Sequence, residues 1–260
     1  MSTTDLVLHM FPASHFNEKA RWALDWKGLP HKRVPYLPGP HISQIKRLSG
    51  QSQTPVLVMN GRIIAGSSQI IDELERAHLE RPLYAEDPAE RERSLALQRR
   101  FDEEVGPAVR TAAFSILVGE LDYLCAMFTR GQPALKRRLY RLLLPLAKPL
   151  IAKGNGVNPA NVERALARTQ QALDETERLV GPSGQIVGSR FGVADLTACA
   201  LLAPLADLSH PDMARPQPVP PRMAEFYRRY ERHPAIAWVR EQYAKHRPEP
   251  RDSTSVRESR

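Results

Sequence analysis

The sequence predicts two domains of different fold class, an α/β domain followed by an all-α domain. Strand and helix signals alternate over the first eighty residues, whereas only helical periodicity follows from residue 89 onward. A proline-bounded stretch at 82–88 separates these two sequence patterns, as is typical of a linker. We therefore place the first domain at residues 1–80 and the second at 89–246.

The composition is that of a folded protein. Hydrophobic residues make up 42% of the 260 and charged residues 25%, which excludes an intrinsically disordered chain. We expect neither a secretory signal nor a membrane-spanning helix, because no basic start, long apolar segment or run of eighteen apolar residues occurs. The net charge of +8 is spread along the chain without a nucleic-acid motif. We therefore expect affinity for small anions or an acidic surface and no nucleic-acid partner.

The two cysteines, Cys125 and Cys199, both lie among apolar neighbours. This setting predicts buried thiols that act as small hydrophobic side chains. Two such residues provide neither a disulfide framework nor a metal site. We therefore expect a cytoplasmic protein without a metal.

The first strand and helix lie at residues 6–11 and 16–27. The strand segment is a short apolar run, and Gly28 stands where a C′ glycine would close the helix. Three residues at helical spacing form one apolar face: Ala20, Ala23 and Leu24. The next strand, at 32–37, contains Pro35, which favours an edge position. A short helix is expected at 41–48.

A hairpin completes the predicted sheet. Val56–Met59 and Arg62–Ala65 flank Asn60-Gly61, a strong signal for a two-residue hairpin turn. A helix is expected to follow at 67–78. The order β-α-β-α-β-β-α with a closing hairpin is that of a thioredoxin-like domain.

The second domain is predicted to contain helices only. Helical periodicity covers four segments: 89–117, 161–179, 193–208 and 221–245. Residues 130–158 form a basic insertion, in which 130–153 hold seven Lys or Arg and no acidic residue. We expect Pro145 and Pro149 to break any long helix there. Residues 247–260 are charged and weakly apolar, and predict a disordered tail.

Four motifs in order resemble the glutathione transferase family, in particular its serine-type, bacterial-like cytosolic members. Residues 14–24, SHFNEKARWAL, are similar to the family's strand-to-helix turn, Ser-Pro-x-Cys/Ser-x-Lys-Val-Arg-x-Ala-Leu. Gln53-Thr54-Pro55 resembles its cis-proline loop, and Ser67-Ser68 resembles the Glu/Asp-Ser start of its third helix. Phe191-Gly192-Val193-Ala194-Asp195 resembles the Phe-Ser/Thr-x-Ala-Asp box of its helical domain. The resemblance implies a thioredoxin-like domain, a helical domain and a homodimer.

Ser14 is the predicted catalytic residue. It stands at or just before the start of the first helix, where free N–H groups and the helix dipole favour an anion. A serine hydroxyl there can stabilise the thiolate of glutathione, although serine is also a common N-cap. Neither Ser14 nor Asn17 is a cysteine, which excludes thiol–disulfide exchange by the protein at this site. Asn17 is either a second contact to the thiol or a helix-start residue. For His15 the favoured expectation is a surface position without a chemical role, and the alternative is that it tunes the charge near the thiol.

The resemblance assigns the rest of glutathione to two loops. A cis bond before Pro55 would let the backbone of Thr54 pair with the cysteinyl part, and Gln53 either binds the glycine carboxylate or is an ordinary loop residue. Ser68 and the helix start would bind the γ-glutamyl carboxylate.

The acid that the family carries at the position of Ser67 is absent here. That acid pairs with the γ-glutamyl ammonium in the family, so its loss weakens the case for glutathione affinity. Asp102 is a candidate to replace it, including from across a dimer interface.

These observations predict a glutathione transferase with glutathione as co-substrate and a small electrophilic or hydrophobic acceptor, bound near residues 110–123. The alternative is a non-catalytic relative that binds a ligand, a partner or a membrane surface. The basic segment 130–153 leaves three possibilities open: packing at the surface or in a dimer, a lid over the acceptor pocket, and weak contact with an anionic membrane.

Overall fold

A four-stranded mixed sheet lies at the centre of the first domain in the computed structural model, which describes residues 5–250. Its strands are β1 (Leu6–Met10), β2 (Lys32–Pro35), β3 (Val56–Met59) and β4 (Arg62–Ala65). The order is β2-β1-β3-β4, with β1 parallel to β2 and the other two pairs antiparallel. The edge position predicted from Pro35 is confirmed, because β2 has only one neighbour.

Three helices complete the first domain: α1 (His15–Trp26), α2 (His41–Ser49) and α3 (Ser67–Ala77). The predicted hairpin turn is present, since Asn60 and Gly61 both have positive φ, 50° and 81°, as a type I′ turn requires. Gly28, with φ 71°, follows the end of α1. The predicted thioredoxin-like order of elements is confirmed.

The second domain is helical in the part of the chain that the structure describes. A five-residue π-helical turn, Phe101–Val105, joins the first two of its helices. The helices are α4 (Pro88–Arg100), α5 (Gly106–Leu117), α6 (Leu121–Phe128), α7 (Ala134–Gly154), α8 (Pro159–Leu179), α9 (Val193–Leu202), α10 (Pro221–Arg228) and α11 (Pro234–His246). Within residues 5–250, no helix combines the length and the apolar content that crossing a membrane requires.

One hydrophobic core joins the two domains. Helix α1 packs against α3 of its own domain and against α9 of the second. Trp22 of α1 is fully buried, stacks on Phe191, and donates its indole N–H to the carbonyl of His246 at 3.0 Å. Because α1 is covered on both sides, its amino terminus is held at the boundary between the domains.

Asp195 caps the start of α9. Its Oδ2 accepts a hydrogen bond from Gly192 N at 2.9 Å, and its Oδ1 accepts another from Ile186 N at 2.7 Å. Burial raises the pKa of Asp195 to about 6, although both hydrogen bonds act to lower it. The side chain thus joins a preceding loop to the helix start.

The prediction that prolines break the basic segment is wrong. Helix α7 runs unbroken for 21 residues with Pro145 and Pro149 inside it. Both prolines are exposed, so the carbonyls that lose their helical N–H partners, those of Arg141 and Pro145, lie on a side of the helix that water can reach.

The predicted start of the disordered tail is also wrong. Arg247 is buried and its guanidinium contacts Glu18 at 2.7 Å, Asp25 at 2.8 Å and Asp212 at 2.7 Å. A charged residue can be buried when carboxylates surround it in this way. The rest of the predicted tail, residues 251–260, lies outside the described residues.

Candidate functional site

Three loops that carry the predicted site residues meet at one edge of the sheet. In the strand register, His9 pairs with Val56, and Val56 pairs with Ala65. The end of β1, the start of β3 and the end of β4 are therefore adjacent. Gly66 N donates to Pro55 O at 2.9 Å, which fixes the start of α3 beside the proline loop.

Ser14 is the N-cap of α1, as one of its two predicted roles requires. Its backbone is extended (φ −93°, ψ 128°), and its Oγ accepts a hydrogen bond from Asn17 N at 3.5 Å. The residue is half-buried. Among the described residues, none accepts a hydrogen bond from the Ser14 hydroxyl. The hydroxyl therefore keeps its proton available for an anion at the helix start.

Asn17 has no surface that a ligand can touch. Its side chain is fully buried, and its Oδ1 and Nδ2 have no hydrogen-bond partner among residues 5–250. The structure therefore gives no contact between Asn17 and a bound thiol. Of the two roles that the sequence left open, the helix-start role is the one the geometry fits.

His15 is buried, contrary to the expectation of a surface residue. Its Nε2 hydrogen-bonds to the carbonyl of Gly106 in α5 at 3.0 Å. Burial, and then the nearby charge of Arg110, lower the pKa of His15 to about 3. Tertiary packing brings the Gly106 carbonyl to the His15 ring. The neutral imidazole of His15 therefore links the start of α1 to the second domain.

The Thr54–Pro55 peptide bond is cis, as the family resemblance implied. The backbone N–H and C=O of Thr54 make no hydrogen bond to any residue that the structure describes. Gln53 is exposed, and its backbone N–H and C=O both bond to the side chain of Gln51. The loop thus presents a free peptide group of Thr54 beside the Ser14 turn.

The hydroxyl of Ser68 is already saturated with hydrogen bonds. It donates to Asp102 Oδ2 at 2.5 Å and accepts from Lys19 Nζ at 2.8 Å and Gln98 Nε2 at 3.1 Å. One donor and two lone pairs are all that a hydroxyl has. The Ser68 side chain therefore has no hydrogen bond left for a carboxylate, and the free donors here are the first backbone N–H groups of α3. Ser67 is buried beside it.

Lys19 is a buried residue of this region that sequence reasoning did not single out. Its ammonium lies 2.7 Å from Asp102 Oδ2, so Asp102 reaches the start of α3 within its own chain. Burial lowers the pKa of Lys19 to about 8, although Asp102 acts to raise it. The sequence signal was a lysine beside the apolar positions of α1.

A buried ionic cluster lies behind the Ser14 turn. It contains three acids and three arginines: Glu18, Asp25, Asp212, Arg21, Arg33 and Arg247. The ligand atoms of Glu18, His210 and Asp212 all lie within 4.8 Å of one another. Because the carboxylates already pair with guanidinium groups, this arrangement fits ion pairing better than a metal ion.

A cleft opens between the Ser14 turn and the second domain. Its empty volume is about 660 Å³, which includes open solvent at the mouth. Ala13 and His15, which flank Ser14, line one side. Residues of the predicted acceptor region line the other: Arg110, Ala113, Phe114, Leu117 and Tyr123. The segment 203–216, which the sequence did not single out, completes the wall.

Comparison with known proteins gives a family match and a curated relative. Residues 8–82 match the family model for the glutathione S-transferase N-terminal domain. Glutathione S-transferase U4 of Arabidopsis thaliana is 30% identical over 109 residues, which are 40% of this chain and 46% of that protein. The chain thus matches about half the length of this curated relative.

Two solved structures show the fold over nearly the whole chain. A glutathione S-transferase from Xanthobacter autotrophicus Py2 has a TM-score of 0.62 at 16% identity, covering 97% of this chain and 100% of that one. Another, from Methylobacterium radiotolerans JCM 2831 in complex with glutathione sulfonate, has a TM-score of 0.51 at 22% identity, covering 95% and 96%. Residues 8–82 are thus similar to the N-terminal domain of glutathione S-transferases, and the chain as a whole shares the fold of these two solved structures.

Proposed function

We propose that the protein is a glutathione transferase that binds glutathione at the sheet edge and transfers its thiolate to an electrophile in the adjoining cleft. The observation that supports this most directly is the meeting of Ser14, Thr54 and the start of α3 at one edge. Ser14 provides a hydroxyl that can donate a hydrogen bond to the thiolate, Thr54 provides a free peptide group, and the start of α3 provides free backbone N–H groups. In the proposal, the protein acts as a homodimer in the cytoplasm.

Ser14 acts on the thiol. Its hydroxyl donates a hydrogen bond to the sulfur, and the amino terminus of α1 adds a positive field. Both interactions favour the thiolate over the thiol and so lower the thiol pKa. Thr54 N–H and C=O pair with the cysteinyl backbone of glutathione, as an added strand would. Gln53 is exposed in the same loop, and in this proposal it binds the glycine carboxylate.

The γ-glutamyl end is bound by the start of α3 in a modified way. The backbone N–H groups of Ser67 and Ser68 take the carboxylate. Asp102 remains 19% exposed and is available to the ammonium. Since Lys19 already balances part of its charge, this contact is weaker than one to an unpaired acid. We therefore expect modest affinity for glutathione.

The test compares wild type, Ser14→Ala and a matched control, Ser189→Ala, whose serine is exposed and outside the three loops of the sheet edge. Retention on immobilised glutathione reports binding, and the pH dependence of thiol conjugation reports the thiol pKa. We expect Ser14→Ala to lower the rate by about ten- to a hundredfold, since one hydrogen bond to a charged atom is lost. Its pH profile should shift upward, whereas Ser189→Ala should behave as wild type. Absence of both retention and conjugation in wild type would refute the proposal.

A second candidate function is contact with an anionic membrane surface through α7. Tyr140 and Leu144 are the buried residues of α7 and mark the side that packs on the protein. Six leucines on another side are between 49% and 81% exposed: Leu135, Leu139, Leu142, Leu143, Leu146 and Leu150. Their spacing of three, four and seven residues places them in one stripe. An apolar patch of this kind on a single helix is typical of an interaction surface.

The charges around the stripe favour a bilayer over a second copy of the chain. Residues 130–153 carry seven cations and no acid. Two copies of α7 would bring like charges together, whereas anionic lipid headgroups attract them. The sequence also allowed segment 130–153 to be a lid over the acceptor pocket. That role is not favoured, because the leucines of the stripe face solvent.

Vesicle sedimentation tests this second candidate. The variant Leu142→Gln/Leu146→Gln removes two leucines of the stripe, and Leu79→Gln, at 80% exposure on another part of the surface, is the matched control. Wild type and the control should sediment with phosphatidylserine-containing vesicles, less so at high salt, and the double variant should not. If wild type does not sediment with the vesicles, the membrane candidate is rejected. If sedimentation velocity shows a dimer that the double variant abolishes, the stripe binds a second copy of the chain instead.

A further inference from the structure

The cleft beside Ser14 has one apolar and one cationic part. Phe114, Leu117 and Met127 line it from α5 and α6, and Met213 and Met223 line it from the opposite wall. Thioether and aromatic side chains of this kind adapt to planar apolar ligands. The apolar part alone would accept most hydrophobic molecules, so selectivity depends on the polar part.

Three arginines line the same cleft: Arg110, Arg130 and Arg215. Arg130 donates to the carbonyls of Pro211 and Ala214. Arg215 lies over the ring of Tyr227, 3.6 Å from the carboxylate of Asp207. Arg110 differs from both. No residue in 5–250 forms an ion pair or a hydrogen bond with it, and its Nε is buried without a partner.

The one acid that lines the cleft does not balance these charges. Asp212 pairs with Arg247 at 2.7 Å, Arg33 at 2.8 Å and Arg21 at 3.5 Å behind the wall. Burial would raise its pKa, but those three arginines hold the pKa well below its usual range. The field inside the cleft is therefore positive.

Arg110 is half-buried, with its Nε buried, and a guanidinium in this setting without a counter-ion is costly. A bound carboxylate would remove that cost. The guanidinium fork matches a carboxylate with two parallel hydrogen bonds. The neighbouring His15 is neutral, its Nε2 donates to Gly106 O, and no hydrogen bond joins its ring to Arg110 within residues 5–250. A ligand carboxylate is the acceptor that fits this position.

We propose that the second substrate is an apolar, aromatic acid, whose carboxylate is bound by Arg110 while its ring lies on the Phe114 and methionine side of the cleft. This inference rests on the proposed function for the reaction, but the binding of the acid stands independently of it. The carboxylate anchors the ring so that its electrophilic carbon faces the Ser14 turn.

A suitable probe pair is a chlorodinitrobenzoate, with chlorine para to the carboxylate, and its methyl ester. The glutathione thiolate, its proton already released to solvent, forms a carbon–sulfur bond with the ring carbon. The carbon–chlorine bond breaks, and chloride leaves with the bonding electron pair. The two probes share this chemistry and differ in the charge that Arg110 is proposed to bind.

The experiment measures kcat/KM for acid and ester at saturating glutathione. In Arg110→Gln, the ratio of acid to ester should fall by about ten- to a hundredfold relative to wild type. Arg228→Gln, an exposed arginine of α10 outside the cleft lining, should keep the wild-type ratio. An unchanged ratio in Arg110→Gln would overturn the inference and leave the proposed function standing.

A binding measurement separates the two proposals. Calorimetric titration with dinitrobenzoate, which lacks the leaving group, requires no glutathione. If wild type conjugates neither probe but binds dinitrobenzoate in an Arg110-dependent way, the transferase proposal fails and this one holds. If wild type does not bind dinitrobenzoate, or Arg110→Gln binds it equally well, the inference is wrong whatever the conjugation assay shows.

Discussion

Replacing Arg247 by methionine tests whether the end of the described chain stabilises the first domain. Arg247 follows α11 and reaches α1, where its guanidinium contacts Glu18 and Asp25, both fully buried, and Asp212, which is 13% exposed. Methionine keeps much of the apolar volume and removes all three ion pairs. Each carboxylate retains another arginine, such as Arg21 for Glu18 at 2.9 Å.

The expected loss is about 3–5 kcal/mol of unfolding free energy, the range for removing one partner from a buried ion pair. That is a large part of the stability of an ordinary domain. Urea denaturation followed by circular dichroism measures it. The matched control is Lys245→Met, whose exposed pair with Glu241 at 2.5 Å should contribute less than about 1 kcal/mol.

The loss should also depend on pH. Burial alone would raise the pKa of Glu18, but the charges of Arg247 and Arg21 lower it overall. A carboxylate with a depressed folded-state pKa contributes stability above its unfolded pKa, and this contribution is lost as pH falls through the folded value. The difference between wild type and Arg247→Met should therefore shrink on acidification below about pH 4. A loss below about 1 kcal/mol, or one equal at neutral and acidic pH, would refute the assigned role.

Three further predictions concern the packing around the cleft and the second domain. Gly106→Ala should destabilise the protein by about 1–3 kcal/mol in urea denaturation, because an added Cβ would lie 2.6 Å from the ring of Phe16; a neutral effect would show that α1 and α5 separate easily. Asp195→Asn should cost about 1–3 kcal/mol, since an amide can accept through its oxygen only and leaves one buried backbone N–H unpaired; an unchanged melting temperature would contradict this. Wild type should lose stability as pH falls from about 6.5 towards the folded pKa of His15, about 3, because the imidazole binds a proton in the unfolded state before it does so in the folded state. In a pH series of denaturation curves, His15→Gln should lack this part of the pH dependence.

The elements that the sequence predicted well are those whose signals are local. The Asn60-Gly61 turn, the edge strand with Pro35 and the end of α1 at Gly28 each depend on the backbone preference of one or two residues. The order of these elements is enough to predict the first domain. Local signals also placed Ser14 at a helix start, since capping depends on the residues next to the cap.

Predictions failed where partners distant in the sequence decide the outcome. His15 was expected at the surface, but α5 supplies the carbonyl of Gly106 that allows its burial. Arg247 was expected in a disordered tail, but three carboxylates from α1 and the 210–212 segment surround it. Both are polar side chains, whose burial depends on a partner that periodicity does not reveal.

The same distinction divides the site. The sequence by itself determined the two-domain fold class and the serine at the start of α1, because turn and cap preferences depend on adjacent residues. The cis-proline loop followed from the family resemblance. Only the tertiary structure decided that the Ser68 hydroxyl is taken by Lys19, Asp102 and Gln98, and that Arg110 enters the cleft without a carboxylate partner. Charge pairing acts through space over a few ångströms, so it depends on which segments fold together and not on their order along the chain.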